Sequence, residues 1–247
     1  MAHHLSGPAS LKGQVALITG GAGGMGMSIA RTFLEAGAKV IATDIAETAD
    51  LGADIDYRRY DVTSKEDTDT VIDSVLADYG HIDILVLCAG TIARTPLGES
   101  SDEEWDAMLS VNLRGVVNPT RKLFPIMCER GFGKVLAAGS IAAKNGGVAS
   151  GPAYLSAKAA VHGLIRWIAK AGGPHGVYAN TLAPGPVETA MWAKLTDNKG
   201  PSANSTVPLG RYGVPEDIAQ AALFLCSPAS NWITGTSLDV SGGMWMD

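Results

Sequence analysis

Val15-Ala-Leu-Ile-Thr19-Gly20-Gly21-Ala22-Gly23-Gly24-Met25-Gly26 decides how this chain folds. Val15 to Thr19 is a short apolar run of the kind a buried strand supplies, and glycines crowd its end. A helical stretch follows to Glu35-Ala36, where Gly37 is placed to end it in a left-handed cap. Lys39-Val-Ile-Ala-Thr43 reads as a second strand with Asp44 at its carboxyl end. Strand, glycine turn, helix, strand and acid, in that order, make a dinucleotide-binding βαβ unit. The glycines let backbone approach a pyrophosphate, and the helix N-terminus offers its amides to that anion. The spacing Gly20-x-x-x-Gly24-x-Gly26 differs from the commoner Gly-x-Gly-x-x-Gly. A tight strand-to-helix turn without a ligand would use glycines too. The acid at the next strand end favours the nucleotide.

The same alternation continues outward. Tyr57 to Tyr60 is a poor strand by pattern, although Asp61-Val62 looks like a strand end. Helical spacing resumes at Asp67, with Val71, Ile72, Val75, Leu76 and Tyr79 on one stripe. Ile82 to Leu87 is a buried strand ending in Cys88-Ala89-Gly90. A long helical region starts near Asp102, contains Asn112, and should kink or break at Pro119. Lys134 to Gly139 is a strand that delivers Ser140, and Val177 to Ala183 is another, ending in Pro184-Gly185-Pro186-Val187. A loop or short helices fill Glu188 to Val207. Pro215 opens a helix, and Thr236 to Val240 is a last strand. Strands alternating with helices predict one α/β domain over 11–247, a Rossmann-like doubly wound parallel sheet of about seven strands, behind a flexible tail over 1–10.

Composition narrows the function. The 247 residues are 46% hydrophobic and 18% charged, with a net charge of −6 and no Lys/Arg run. That profile is globular and argues against a nucleic-acid or anionic-membrane surface. Cys88, Cys128 and Cys226 lack metal-ligand spacing, so no metal site is expected and a reduced, cytoplasmic setting fits. No apolar run is long enough to span a bilayer.

The second chemical motif is Ser140 with Tyr154-Leu-Ser-Ala-Lys158. Residues four apart on a helix share a face. A free tyrosine, with a pKa of about 10, is a poor base near neutrality. A lysine ammonium one turn away favours the phenolate and should lower that value. The pair can then exchange a proton with an alcohol or carbonyl oxygen, to which Ser140 can donate a hydrogen bond. Taken alone, such a pair is more often an exposed helix face. The glycine turn elsewhere in the chain changes that reading.

Taken together, these markers resemble the short-chain dehydrogenase/reductase family from about Leu11 to Met244: Thr19-Gly20-x-x-x-Gly24-x-Gly26, Asp61-Val62, Ala89-Gly90, Asn112, Ser140, Tyr154-x-x-x-Lys158, Asn180, and Pro184-Gly185 with Thr189. The resemblance implies hydride transfer with a nicotinamide cofactor. It implies Tyr154 as general acid/base, Lys158 as holder of the nicotinamide ribose, Ser140 as polariser of the carbonyl, and Asn112 as support of a water in a proton relay. It implies Thr19, Gly20, Gly24 and Gly26 in the pyrophosphate turn, Asp61 and Val62 flanking the adenine, Val187 and Thr189 touching the nicotinamide carboxamide, and Met25, Ala89, Gly90, Pro184 and Gly185 as further cofactor-binding residues. Departures are Cys88 where the family often has asparagine, Pro119 in the long helix, and Ser241 before the final Gly-Gly.

Asp44 and the lack of a following Lys or Arg point to NAD(H) over NADP(H). The expected substrate is a small or medium secondary alcohol or ketone, with Met191, Trp192 and Leu195 lining its pocket. A 3-oxoacyl-carrier-protein reductase is the alternative, disfavoured by the scarcity of basic residues in the loop Gly172-Gly173-Pro174-His175. A catalytically silent NAD-binding protein is the other alternative. Family members commonly pair through the two long helices, so a homotetramer, or at least a dimer, is expected. Met244-Trp245-Met246 would then bury against a partner.

Overall fold

The computed structural model describes residues 9–147, 150–196 and 206–246; the expected tail over 1–10 falls mostly outside them. Seven strands form one sheet: β1 (Val15–Thr19), β2 (Lys39–Asp44), β3 (Asp56–Arg59), β4 (Ile84–Leu87), β5 (Gly133–Ala138), β6 (Val177–Pro184) and β7 (Ser237–Val240). Their order across the sheet is β3-β2-β1-β4-β5-β6-β7, and every neighbouring pair is parallel.

The principal helices are α1 (Gly24–Glu35), α2 (Lys65–Tyr79), α3 (Asp102–Leu109), α4 (Gly115–Arg130), α5 (Ala142–Asn145), α6 (Pro152–Gly172), α7 (Ala190–Thr196) and α8 (Pro215–Cys226). Strand side chains alternate between two cores, as a pleat requires. Ala16, Ile18, Val40, Ala42, Ile84 and Val86 join Ile29 and Phe33 of α1 and Ile218 and Ala222 of α8. Leu17, Ile41, Leu85, Val135 and Ala179 join Ile72 of α2, Leu123 of α4 and Ile165 of α6 on the other face. With both faces covered, the central strands read as unbroken apolar runs.

β3 corrects the pattern-based reading. It is a sheet-edge strand whose Asp56, Tyr57 and Arg58 are only partly buried, so it carries no apolar run. Arg58 instead pairs with Asp56 and Asp78 at 2.6 and 2.7 Å, and Arg59 with Asp67 at 2.7 Å. α2 likewise begins earlier than its stripe, because Ser64 caps it by accepting the Asp67 N–H.

Pro119 does not break its helix. α4 runs through it and Pro125 to Arg130. Pro119 lacks the N–H that would reach the Gly115 carbonyl. The irregularity lies just upstream, where Ser110–Arg114 widens into a π-turn between α3 and α4. Asn112 sits in that turn, fully buried.

Strand order reverses between β1 and β4, so the chain leaves the sheet in opposite directions from these neighbours. The crevice outside their carboxyl ends is where open α/β sheets bind ligands.

Candidate active site

A cleft of 640 Å³ opens at that crevice. Gly20, Gly24, Met25 and Gly26 line one wall, with Asp44, Asp61 and Val62 further along and Ala89, Gly90, Thr189 and Met191 around the other end. The glycines are structural necessities. A Cβ on Gly26 would collide with the Gly20 carbonyl, and one on Gly20 would lie 2.7 Å from the Ala89 backbone. α1 therefore starts tight against β1. No side chain caps its N-terminus, which leaves first-turn amides for a ligand. Asp44 closes the turn by accepting the Ala22 N–H at 3.2 Å and the Ile45 N–H at 2.8 Å. Uncapped amides beside a cleft and a carboxylate at the next strand end suit a dinucleotide's pyrophosphate and ribose.

Four expected contacts lie behind the cleft wall. Thr19 is buried, and its Oγ1 accepts the Cys88 and Ala89 N–H groups at 3.2 and 3.3 Å, so it pins the end of β4. Gly185 packs on Ser241, where a Cβ would come within 2.9 Å of backbone. Pro184 ends β6, and Val187 is buried and bridged to Gly213. Thr189 does reach the cleft, leaning over Gly24. The sequence reading passed over Ala22, Tyr60, Thr63, Cys88, Thr91 and Val111, which also line it. Tyr60 and Thr63 flank the Asp61-Val62 marker, and that adjacency was the available signal.

The proton-handling group gathers beyond Gly90. Tyr154 lies in the first turn of α6 and Lys158 one turn later, its Nζ 5.8 Å from the tyrosine ring centroid. Ser140 follows β5, and its side chain lies near enough to the Tyr154 hydroxyl to favour the ionised phenol. Ser140 Oγ also accepts the Ala142 N–H at 3.1 Å, which fixes its rotamer. Lys158 is buried and donates to the Ala138 carbonyl at 2.8 Å. A Cβ on Gly90 would sit 2.9 Å from Asn112 Oδ1 and 3.4 Å from Lys158 Nζ, so that glycine is the meeting point of both side chains. Both ends of the Asn112 amide are engaged: Nδ2 donates to the Met108 carbonyl at 3.0 Å, and Oδ1 accepts the Thr91 N–H at 3.2 Å.

Electrostatics correct one expectation. The Tyr154 pKa is raised above its ordinary value. Burial is the main cause, the nearby Ser140 hydroxyl offsets part of it, and Cys88 adds to it. Lys158 does not lower it, because burial pushes the ammonium itself down to about 8 and its hydrogen bond goes to Ala138. The tyrosine is thus a protonated phenol at neutral pH, poised to give a proton rather than take one. Burial also raises the Cys88 thiol to about 11, which leaves it un-ionised.

Of the expected substrate pocket, Met191 lines the cleft. Trp192 packs edge-on against Tyr212, ring centroids 5.3 Å apart, with the Arg94 guanidinium 5.8 Å from the Trp192 ring. The Leu195 side chain lies outside the described residues. Among those residues, no group of three His, Cys, Asp or Glu is placed to hold a metal, and no helix is long and apolar enough to cross a membrane.

Known proteins resemble this chain over nearly its whole length. A family profile described as enoyl-(acyl carrier protein) reductase matches residues 20–245. A 3-oxoacyl-[acyl-carrier-protein] reductase of Thermotoga maritima is 35% identical over 246 residues, covering 95% of this chain and 98% of that protein. An acetoacetyl-CoA reductase of Allochromatium vinosum is 35% identical over 245 residues, covering 94% and 99%. The crystal structure of a 3-ketoacyl-(acyl-carrier-protein) reductase from Brucella melitensis, complexed with NADH, superposes with a TM-score of 0.88 at 32% identity, covering 96% of this chain and 100% of that one. With its seven-stranded parallel sheet, its glycine turn at the switch point and full-length relatives of this kind, the chain belongs to the short-chain dehydrogenase/reductase family, oxidoreductases that use a nicotinamide cofactor.

Proposed function

We propose that the protein reduces the ketone of a 3-oxoacyl thioester to the 3-hydroxyacyl product, with NADH as its cofactor. The observation that carries the reaction is the convergence of Tyr154, Ser140 and Lys158 beyond Gly90, with the tyrosine held protonated. Bound dihydronicotinamide supplies the hydride. Ser140 and Tyr154 hydroxyls hold the ketone oxygen between them, and Tyr154 gives it the proton. Lys158 holds the nicotinamide ribose with its remaining donors. Asn112, through the backbone it fixes in the π-turn, supports a water that returns the proton. The amides of Gly20 and Gly24 to Gly26 hold the pyrophosphate, Asp44 the adenosine ribose, and Asp61 and Val62 the adenine. Thr189, which reaches the cleft, faces the carboxamide, with Val187 buried behind it.

The thioester rests on the names of the relatives, which support it over the small alcohol that the sequence alone suggested. The preference for NADH rests on Asp44, where a 2′-phosphate would meet like charge. One observation favours a second reading, a small free ketone. The cations that could greet an acidic carrier are engaged: Lys122 with Asp73 at 2.8 Å, Arg130 with Asp83 at 2.8 Å, and Arg121 with Asn118 at 2.9 Å.

Initial rates with acetoacetyl-CoA, an acetoacetyl carrier protein and a panel of small cyclic and aryl ketones, each with NADH and NADPH, decide between them. The thioester reading predicts the highest kcat/KM for a thioester. A small ketone turned over faster contradicts it, and no turnover on any substrate returns the silent NAD-binding protein. The same proposal includes a homotetramer. Trp167 beside Phe124 on α6 and α4, and Trp232 after α8, are 62% and 99% exposed, apolar surface that a partner copy would cover. A monomeric mass by light scattering would contradict it.

A further inference from the structure

The face of α6 that carries Tyr154 and Lys158 carries a third polar side chain one turn on, His162, and it is 5% exposed. Its Nε2 accepts the backbone N–H of Ser140 at 3.4 Å. Its Nδ1 lies 3.2 Å from Ser237 Oγ at the start of β7. An amide N–H can only donate, so Nε2 carries no proton. In the neutral ring the proton is then on Nδ1, pointing at the Ser237 hydroxyl. Burial, reinforced by Arg166, Lys144 and Lys158, holds the imidazole down to about 4, so the ring is neutral throughout the neutral range.

The fit around this ring is specific. A Cβ on Gly139 would collide with His162 Nε2, so the glycine before Ser140 makes room for the imidazole. The two peptide groups that flank Gly139 are both gripped by α6. Lys158 holds the carbonyl of Ala138 at 2.8 Å, and His162 holds the N–H of Ser140. β6 completes the clamp by accepting the Gly139 N–H on the Leu182 carbonyl at 2.7 Å. The turn that presents Ser140 is therefore set by three contacts, and one is an imidazole outside the Ser140, Tyr154, Lys158 and Asn112 group.

We infer that His162 is a positioning residue for the reaction, fixing the Ser140 hydroxyl against Tyr154 through the Ser140 backbone N–H. The inference rests on the proposed role of Ser140. Without the acceptor, a buried N–H is left unpaired, and the turn relaxes to find another partner. A misplacement of about 1 Å can cost on the order of 10²-fold in rate.

The test is a double-mutant cycle read as kcat, with dinucleotide Kd and Tm measured alongside. The proteins are wild type, His162→Leu, His162→Gln, Ser140→Ala and Ser140→Ala/His162→Leu. His162→Leu should lower kcat roughly tenfold or more with dinucleotide Kd unchanged. His162→Gln, whose amide oxygen can accept the Ser140 N–H, should recover most of that loss. In the Ser140→Ala background His162→Leu should add little, because the two residues act as a unit. Equal losses in both backgrounds, failure of the glutamine to rescue, or a change in Tm alone would each overturn the inference. A Ser140→Ala protein with wild-type kcat would instead overturn the role of Ser140. Should His162→Leu not fold, His162→Asn, too short to reach the N–H, takes its place in the same cycle.

Discussion

Lys134 and Lys158 sit at opposite ends of β5 and share one perturbation. They are 2% and 4% exposed, and burial pushes each ammonium from 10.5 down to about 8. Their partners differ. Lys134 Nζ contacts the Ser227 carbonyl at 2.5 Å, Asn231 Oδ1 at 2.9 Å and Ser230 Oγ at 3.4 Å. These groups close the carboxyl end of α8, where a cation also meets the negative end of the helix dipole. An ammonium has three donors, and Lys134 uses them all on its own fold. Lys158 makes one hydrogen bond among the described residues, to Ala138, and stands beside Gly90 at the cleft. A shifted pKa does not by itself separate a site from a strut. Unspent hydrogen-bonding capacity next to a cleft does.

The largest effect expected at the cleft end is that of Tyr154→Phe. It keeps the ring and removes the proton donor, so kcat should fall about 10²–10⁴-fold while dinucleotide Kd stays near wild type. Because the phenol is the reactive form in reduction and its pKa is raised, wild-type reduction should lose rate only as pH rises past the ordinary tyrosine range. Steady-state rates of NADH oxidation against pH check both statements. A phenylalanine variant with near wild-type turnover would place the proton donor elsewhere.

Asp44→Ala should act on cofactor choice, besides freeing the Ala22 and Ile45 N–H groups that the carboxylate accepts. A hydrogen bond to a charged group contributes about 1.5–3 kcal/mol, so the preference for NADH over NADPH should narrow roughly 10- to 100-fold. The ratio of kcat/KM for the two cofactors reads this directly. An unchanged ratio would remove Asp44 from the ribose site.

A smaller effect sharpens the other end of β5. The folded Lys134 loses its proton near 8, whereas the unfolded chain keeps it to about 10.5. Between those values the unfolded state binds more protons, so this group's contribution to stability rises with pH. Unfolding free energies from urea titrations, wild type minus Lys134→Met, should therefore shift in favour of wild type across that window. A flat difference would mean that Lys134 titrates as an ordinary exposed lysine.

Much of this was legible in the chain itself. The central strands and the glycine turn announced themselves because a doubly covered sheet demands apolar runs, and a backbone approach as close as Gly20 to Ala89 demands glycine. Asp44 and the Tyr154–Lys158 pair emerged where expected because both follow from spacing along one element. β3 was hidden, since an edge strand with Arg58 and Arg59 in ion pairs has no apolar signature. The acidity of Tyr154 was hidden for a different reason. Spacing shows the lysine four residues on, but desolvation and the turn of that lysine toward Ala138 arise only in the packed structure. His162 sits among core residues Val161 and Ile165, and its partners Ser140 and Ser237 come from distant strands.

The contrast between the two lysines is tested most directly by replacing each with methionine and measuring kcat, dinucleotide Kd and unfolding free energy side by side. Lys158→Met should lower kcat about 10²-fold or more and weaken dinucleotide binding, since the ribose contacts and the hold on the Ala138 carbonyl behind Ser140 are lost together. Lys134→Met should leave kcat and Kd at wild-type values and cost about 1–3 kcal/mol of stability, the penalty of unpaired buried acceptors. The opposite pattern, or two variants that differ only in stability, would contradict the assignment of Lys158 to the active site.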